Sequence, residues 1–261
     1  MQPRSAPKAR RWSKRTELFT GTLRAAPGFA VMRLVIGNKC YSSWSLRPWL
    51  AMSALDIDFE ERLIPFGEPG FKDAVTELSG AGLVPVLIDG EVTVWESLAI
   101  IEYLADRFPN AGVWPSDPAA RAHARSISAE MHAGFAALRG ACPMNLGKRF
   151  TRRERGADVA RDVDRAVALW REARDRFADP AAGPFLYGAF TGADAMYAPV
   201  VARLDTYAID LPAEVRPYVD AILSHAAFVE WREAALKEPW IELQDEIDEP
   251  ALENLRPGVS A

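Results

Sequence analysis

Between residues 32 and 108 the chain alternates runs of strand length with helical runs, and from residue 119 onward the alternation stops. "MRLVIG" is a short apolar strand, and in "LRPWLAMSAL" the side chains of Leu46, Trp49, Leu50 and Leu55 share one helical face. "DFEERLIPF" alternates as a second strand, and "GFKDAVTELSG" is a short helix that stops at Gly80. "LVPVLIDGEVTVW" predicts two strands joined at Asp89-Gly90, a dipeptide favoured in two-residue hairpin turns. "ESLAIIEYLADRFP" completes the series as an amphipathic helix ended by Pro109. The order βαβαββα predicts a small mixed sheet covered by helices. Beyond the Pro- and Gly-rich "FPNAGVWPSDP" only helical periods remain, over 119–138, 157–177 and 194–207, with two shorter helices up to Lys237. An α/β domain at 32–112 is therefore expected ahead of an all-helical domain at 118–250. Residues 251–261 carry little to pack and are expected to form a flexible tail.

Charge separates the first residues from the rest. Residues 1–31 hold seven Arg or Lys against Glu17, a net +6, so the remainder carries −11 of the chain's total of −5. An acidic body argues against a nucleic-acid partner. The basic stretch suits a disordered extension, including one that follows an upstream start with Met32 as the natural beginning, or else a targeting segment; Arg24 and Pro27 interrupt any hydrophobic run of signal length. Two cysteines, Cys40 and Cys142, are too few for a disulfide framework and lack metal-site spacing, so a reducing compartment and no metal are expected. No apolar run reaches the roughly 18 residues of a membrane span, so a soluble protein with no membrane partner is expected.

Three stretches can carry chemistry. Pro85 stands at a strand entrance, either as an ordinary strand-start or edge proline or as half of a cis Val84-Pro85 bond that turns the Val84 backbone outward to pair with an extended peptide. Glu96 and Ser97 open a helix whose unpaired N–H groups favour an anion, although both are also plain first-turn residues. The loop "YSSW" ends at the start of the first helix, where a Ser42 or Ser43 hydroxyl can donate to an anion. If that anion is a thiolate, lowering its pKa by about two units needs only about 2.7 kcal/mol. One or two charge-assisted hydrogen bonds supply that.

With these residues the chain resembles the cytosolic glutathione transferases over roughly residues 32–250. The motifs that carry the likeness are "YSSWSLR", the Val-Pro of "LVPVLIDG", "ESLAIIEYL" and "TGADAMYAPVVARL". The resemblance implies a thioredoxin-like N-terminal domain, a helical-bundle C-terminal domain, glutathione as co-substrate, a cytoplasmic homodimer and a small electrophilic, mostly apolar second substrate. It implies that Ser42 activates the thiol with Ser43 beside it, that Val84, next to Pro85 in the glutathione site, pairs its backbone with the cysteinyl part, and that Glu96 and Ser97 hold the γ-glutamyl end. Thr191 and Asp194 are similar to the family's capping box, which serves folding. "SSWSLR" is closest to the serine loop of zeta-class members, which isomerise maleylacetoacetate. Trp44 stands where that class has a cysteine, and Leu83 where relatives often carry Lys, Arg or Gln.

The residues also support other readings. Cys40 near a helix start suggests a thiol oxidoreductase that forms mixed disulfides with glutathione, against the plainer reading of a buried apolar thiol. Leu83 leans toward a non-catalytic binding module of the same fold. The second-substrate wall is expected in "EMHAGFAALRGACPMN", from His132, Arg139 and Asn145, although Met and Phe at helical spacing usually mark core. His123 and His225 show no partner pattern, and Trp170 and Trp231 are expected to pack helices.

Overall fold

The computed structural model describes residues 31–259. The basic extension and its targeting or upstream-start alternatives lie outside the described residues, apart from exposed Val31.

The first half has the predicted order: β1 (Arg33–Ile36), α1 (Ser43–Ala54), β2 (Glu60–Leu63), α2 (Phe71–Ser79), β3 (Val86–Asp89), β4 (Val92–Trp95) and α3 (Ser97–Arg107). The strands form one sheet in the order β2-β1-β3-β4, with β1 parallel to β2 and antiparallel to β3, and β3 antiparallel to β4. Strand periodicity sorts the two faces. Leu34, Ile36 and Leu87 join Leu46, Leu50, Ile100, Ile101 and Leu104 from α1 and α3 in the main core. Val35 and Val86 point the other way, onto Val75 of α2. β1 is thus covered on both sides, which explains its unbroken "LVI".

Pro85 precedes β3, an interior strand, so it is a strand-start proline rather than an edge proline. The hairpin also differs from expectation by one residue. Asp89 still pairs with Val92, and the turn residues are Gly90, at φ 60°, and Glu91. The Asp89 carboxylate is used elsewhere, accepting from the Tyr103 hydroxyl at 2.8 Å and Arg107 Nε at 3.2 Å.

The helical half comprises α4 (Pro118–Ala133), α5 (Ala136–Ala141), α6 (Ala157–Phe177), α7 (Gly192–Thr206), α8 (Arg216–Ser224) and α9 (Ala226–Ala235). The single helix expected over 119–138 is broken: Gly134 caps α4, and buried Phe135 takes a left-handed φ of 56° before α5 begins. α7 is buried nearly throughout, as a capped central helix must be. Asp194 accepts from the Thr191 backbone N–H at 2.7 Å and from the Leu186 N–H at 3.0 Å. Trp170 and Trp231 are fully buried between helices, as expected.

The flexible-tail expectation fails for residues 251–259. β6 (Glu253–Asn254) pairs antiparallel with β5 (Lys148–Arg149), and Arg256 is buried with its guanidinium on the carbonyls of Glu238 and Trp240. The segment is short of apolar residues but is held by polar contacts, which an apolar pattern does not reveal. The 118–250 region is accordingly helical with a two-stranded ribbon added by this segment.

Candidate functional site

The loop between β1 and α1 is a tight turn. The Asn38 carbonyl accepts from both Tyr41 N and Ser42 N, at 3.2 and 2.7 Å. Ser42 then caps α1, its Oγ accepting from Ser45 N at 3.3 Å and donating to Ser45 Oγ at 2.8 Å. Ser45 Oγ in turn accepts from Gly37 N. Ser42 is only 5% exposed and Ser43 7%. Ser43 Oγ accepts from Arg203 Nη2 at 3.3 Å and so keeps its own proton to give. Pro48 lies inside α1 and has no N–H, which leaves the Trp44 carbonyl without its helical donor.

Beside this loop is a cleft of about 380 Å³, lined by Val84, Pro85, Glu96, Ser97, Trp44, His132 and Arg139 with Ala81, Leu83 and Trp95. The Val84-Pro85 bond is cis. Glu96, the N-cap of α3, has φ 71°, a conformation that costs a non-glycine residue on the order of 1–3 kcal/mol. Ser97 is 1% exposed, yet its Oγ has no hydrogen-bond partner among the described residues. A buried hydroxyl at a helix start that lines a cleft and lacks a partner is what a bound polar ligand satisfies.

The far wall is aromatic and cationic. His132 meets Trp44 edge-on with ring centroids 5.2 Å apart, and its Nε2 lies 3.5 Å from Glu96 Oε2. Burial lowers the His132 pKa, Glu96 opposes that, and Arg47 and Arg139 reinforce it, which favours the neutral ring. Arg47 and Arg139 stand over the Trp44 ring at 4.1 and 5.4 Å. Arg47 is fully buried, donating from Nε to the Met196 carbonyl and from Nη2 to Met131 Sδ, while its Nη1 has no partner among the described residues. Burial lowers its pKa well below the ordinary value, and Arg203 and Arg139 add to that.

The residues nominated from the sequence therefore separate. Val84, Pro85, Glu96, Ser97, His132 and Arg139 come together on the cleft. Ser42 and Ser43 lie at the start of α1 next to the wall residue Trp44, without lining the cleft themselves. Asn145 does not belong to the wall: it is buried at the domain junction, accepting from Gly147 N at 3.0 Å and donating to Glu246 Oε1 at 3.0 Å. Cys40 is fully buried and its Sγ approaches Asn145 Oδ1 at 3.7 Å. Burial pushes its thiol up to about 11, which disfavours the thiolate an oxidoreductase needs. Sequence reasoning missed the cationic stack of Arg47, Trp44 and Arg139, and the buried Arg203 on the serine pair. Among the described residues no group of His, Cys, Asp or Glu is arranged to hold a metal, and no helix is long and apolar enough to cross a membrane.

Comparison with known proteins decides the family. Residues 41–107 match the model of the glutathione S-transferase N-terminal domain, and residues 156–235 match that of the C-terminal domain. The maleylacetoacetate isomerase of Rattus norvegicus is 30% identical over 173 residues, covering 65% of this chain and 76% of that protein. The chain belongs to the glutathione S-transferase family. A probable maleylacetoacetate isomerase of Caenorhabditis elegans is 38% identical over 98 residues, 37% of this chain and 45% of that protein. The chain thus spans less than half the length of that curated relative. A glutathione transferase homologue from Burkholderia, solved with bound glutathione, superposes with a TM-score of 0.56 at 22% identity, covering 79% of this chain and 98% of the other. The thioredoxin-like sheet followed by a helical domain is the transferase fold. Both transferase segments contribute to the serine pair, since Ser43 lies in the first and Arg203 in the second. His132 and Arg139 fall between the two matched segments.

Proposed function

We propose that the protein is a glutathione-dependent transferase whose cleft binds glutathione and presents its sulfur to the serines at the start of α1. The observation that carries this is the convergence on one cleft of the Val84-Pro85 segment, the Glu96–Ser97 helix start with its unpartnered hydroxyl, and Trp44, two residues beyond Ser42. Residues 32–112 then form the glutathione-binding domain and residues 118–250 the substrate domain. Val84 and Pro85 border the cysteinyl part, and Glu96 and Ser97 hold the γ-glutamyl end.

Ser42 is the thiol-activating hydroxyl. Ser42 and Ser45 exchange donor and acceptor roles by rotating, so that Ser45 gives its proton to Ser42 Oγ and Ser42 turns its own toward the sulfur. Ser43, polarised by Arg203, stands beside it as a second donor. Hydrogen bonds to the anion and the α1 N-terminus favour the thiolate over the thiol. The thiolate forms a carbon–sulfur bond with a small electrophile as the leaving group departs with its electron pair, and proximity in the cleft supplies the rest.

The relatives named maleylacetoacetate isomerase favour a second use of the same thiolate: reversible addition to a conjugated double bond, rotation, and expulsion of the sulfur. Turnover of maleylacetoacetate without net glutathione consumption separates the two. Leu83, 63% exposed on the cleft, gives the glutathione side an apolar rim in place of a polar grip. A homodimer and a cytoplasmic location belong to the same reading, and sedimentation velocity tests the first.

Calorimetric titration of glutathione into the wild type and Ser97→Ala tests the binding site. Binding by the wild type, weakened several-fold to about tenfold in the variant, is expected from the loss of one hydrogen bond. Absence of binding by the wild type overturns the reading in favour of a non-catalytic module.

A further inference from the structure

Lys39 and Cys40 are the central residues of the turn closed by the Asn38 carbonyl, so their N–H groups face away from it. Both residues are buried, Lys39 at 7% and Cys40 at 0% exposure, and two buried N–H groups in succession require acceptors. Glu238, 198 positions along the chain from Cys40 and just past α9, supplies both: Oε1 accepts from Lys39 N at 2.8 Å and Oε2 from Cys40 N at 3.1 Å. Glu238 is itself buried, and its backbone is held in place because Arg256 Nη1 donates to the Glu238 carbonyl at 3.0 Å.

The same C-terminal segment holds the turn at further points. Trp231 Nε1 donates to the Lys39 carbonyl at 2.9 Å. The Tyr41 hydroxyl donates to Glu246 Oε1 at 2.7 Å and accepts from Arg256 Nη2 at 2.9 Å. Gly147 leaves room for Arg256, because a Cβ there would come within 2.8 Å of Arg256 Nε. These contacts converge on the three residues immediately before Ser42, whose own N–H is tied to Asn38.

We propose that Glu238 is a positioning residue: by gripping the N–H groups of Lys39 and Cys40 it fixes where the α1 N-terminus presents Ser42 to the glutathione sulfur. The inference rests on the transferase reading above. Glu238 touches no reacting atom, and its effect passes through the backbone of residues 39–42. The sign of its effect separates positioning from charge. Removing a nearby negative charge would by itself favour the thiolate and lower the thiol midpoint, whereas displacing the donor hydroxyl raises it.

The experiment follows thiolate ultraviolet absorbance of bound glutathione across pH for the wild type, Ser42→Ala, Glu238→Gln and Tyr41→Phe, with thermal midpoints measured in parallel. Glu238→Gln keeps the size but turns one acceptor into a donor facing an N–H. The expected result is a midpoint lowered in the wild type, raised in Glu238→Gln by about one pH unit, a tenfold loss of thiolate at fixed pH, and raised less in Tyr41→Phe. A purely structural role would lower the thermal midpoint and leave the thiol midpoint where it was. An unchanged or lowered thiol midpoint in Glu238→Gln, with a normal wild type, overturns the positioning role alone. If Glu238→Gln does not fold, Glu238→Asp, which keeps the charge and shortens the reach to the two N–H groups, decides by the same criterion. A wild type with no lowered midpoint overturns the transferase reading and this inference with it.

Discussion

Arg203 of α7 donates through Nη2 to the Ser43 hydroxyl at 3.3 Å, joining the buried helix of one domain to the first turn of α1 in the other. The same guanidinium donates from Nε to the Cys142 carbonyl at 2.8 Å and from Nη1 to the Pro199 carbonyl at 3.1 Å. Burial lowers its pKa to about 10. Arg203→Met leaves two buried carbonyls without this donor and is expected to destabilise the protein by about 2–4 kcal/mol in urea titration. Arg203→Lys does not restore this, because an ammonium cannot reproduce the planar fork.

Asp194 gives a pH-dependent test. It is fully buried, and burial raises its carboxyl to about 6, against hydrogen bonds from Leu186 and Thr191 that lower it. The folded state therefore binds this proton more tightly than the unfolded chain, whose value is about 3.9. Its contribution to stability is fully present below about pH 4 and is lost as pH rises toward 6. Asp194→Asn, which places a donor against the Thr191 N–H, is expected to destabilise at every pH. The gap to the wild type is expected to be larger at pH 4.5 than at pH 7.5, by on the order of 1–2 kcal/mol in urea midpoints.

Gly192 opens α7 where the two domains meet. Its N–H donates to the Val113 carbonyl at 2.7 Å. A Cβ on it would lie 2.8 Å from Ile101 Cγ2 and 3.1 Å from that carbonyl. Gly192→Ala is expected to cost about 1–3 kcal/mol by overpacking, read as a lowered thermal midpoint.

The two cysteines are expected to be silent. Both are buried, and burial raises each thiol to about 11. Native protein should react with a chromogenic disulfide reagent only after denaturant is added, and Cys40→Ala should conjugate as the wild type does.

What was legible in the sequence was local. Strand alternation, helix periods and the Thr191–Asp194 box depend on residues a few positions apart, and so do the Val84-Pro85 and Glu96–Ser97 pairs. Nothing nearby in the chain marks Arg47, Arg203, Glu238 and Arg256, because each is buried against a segment 80 to 220 positions away. Asn145 follows His132 and Arg139 in the sequence, but α5 ends at Ala141, between Arg139 and Asn145, and the chain beyond it enters the domain junction. Trp44 stands out in the sequence as a difference in the serine loop, whereas its place as a platform between Arg47 and Arg139 follows from the fold.

The most direct test of thiol activation by the serines is the ultraviolet pH titration of glutathione bound to the wild type, Ser42→Ala and Ser43→Ala. The expected result is a thiol midpoint below that of free glutathione in the wild type, lost in Ser42→Ala and partly lost in Ser43→Ala. A midpoint that is equally low in all three proteins would contradict it, because the thiolate would then be stabilised by groups other than the serines at the start of α1.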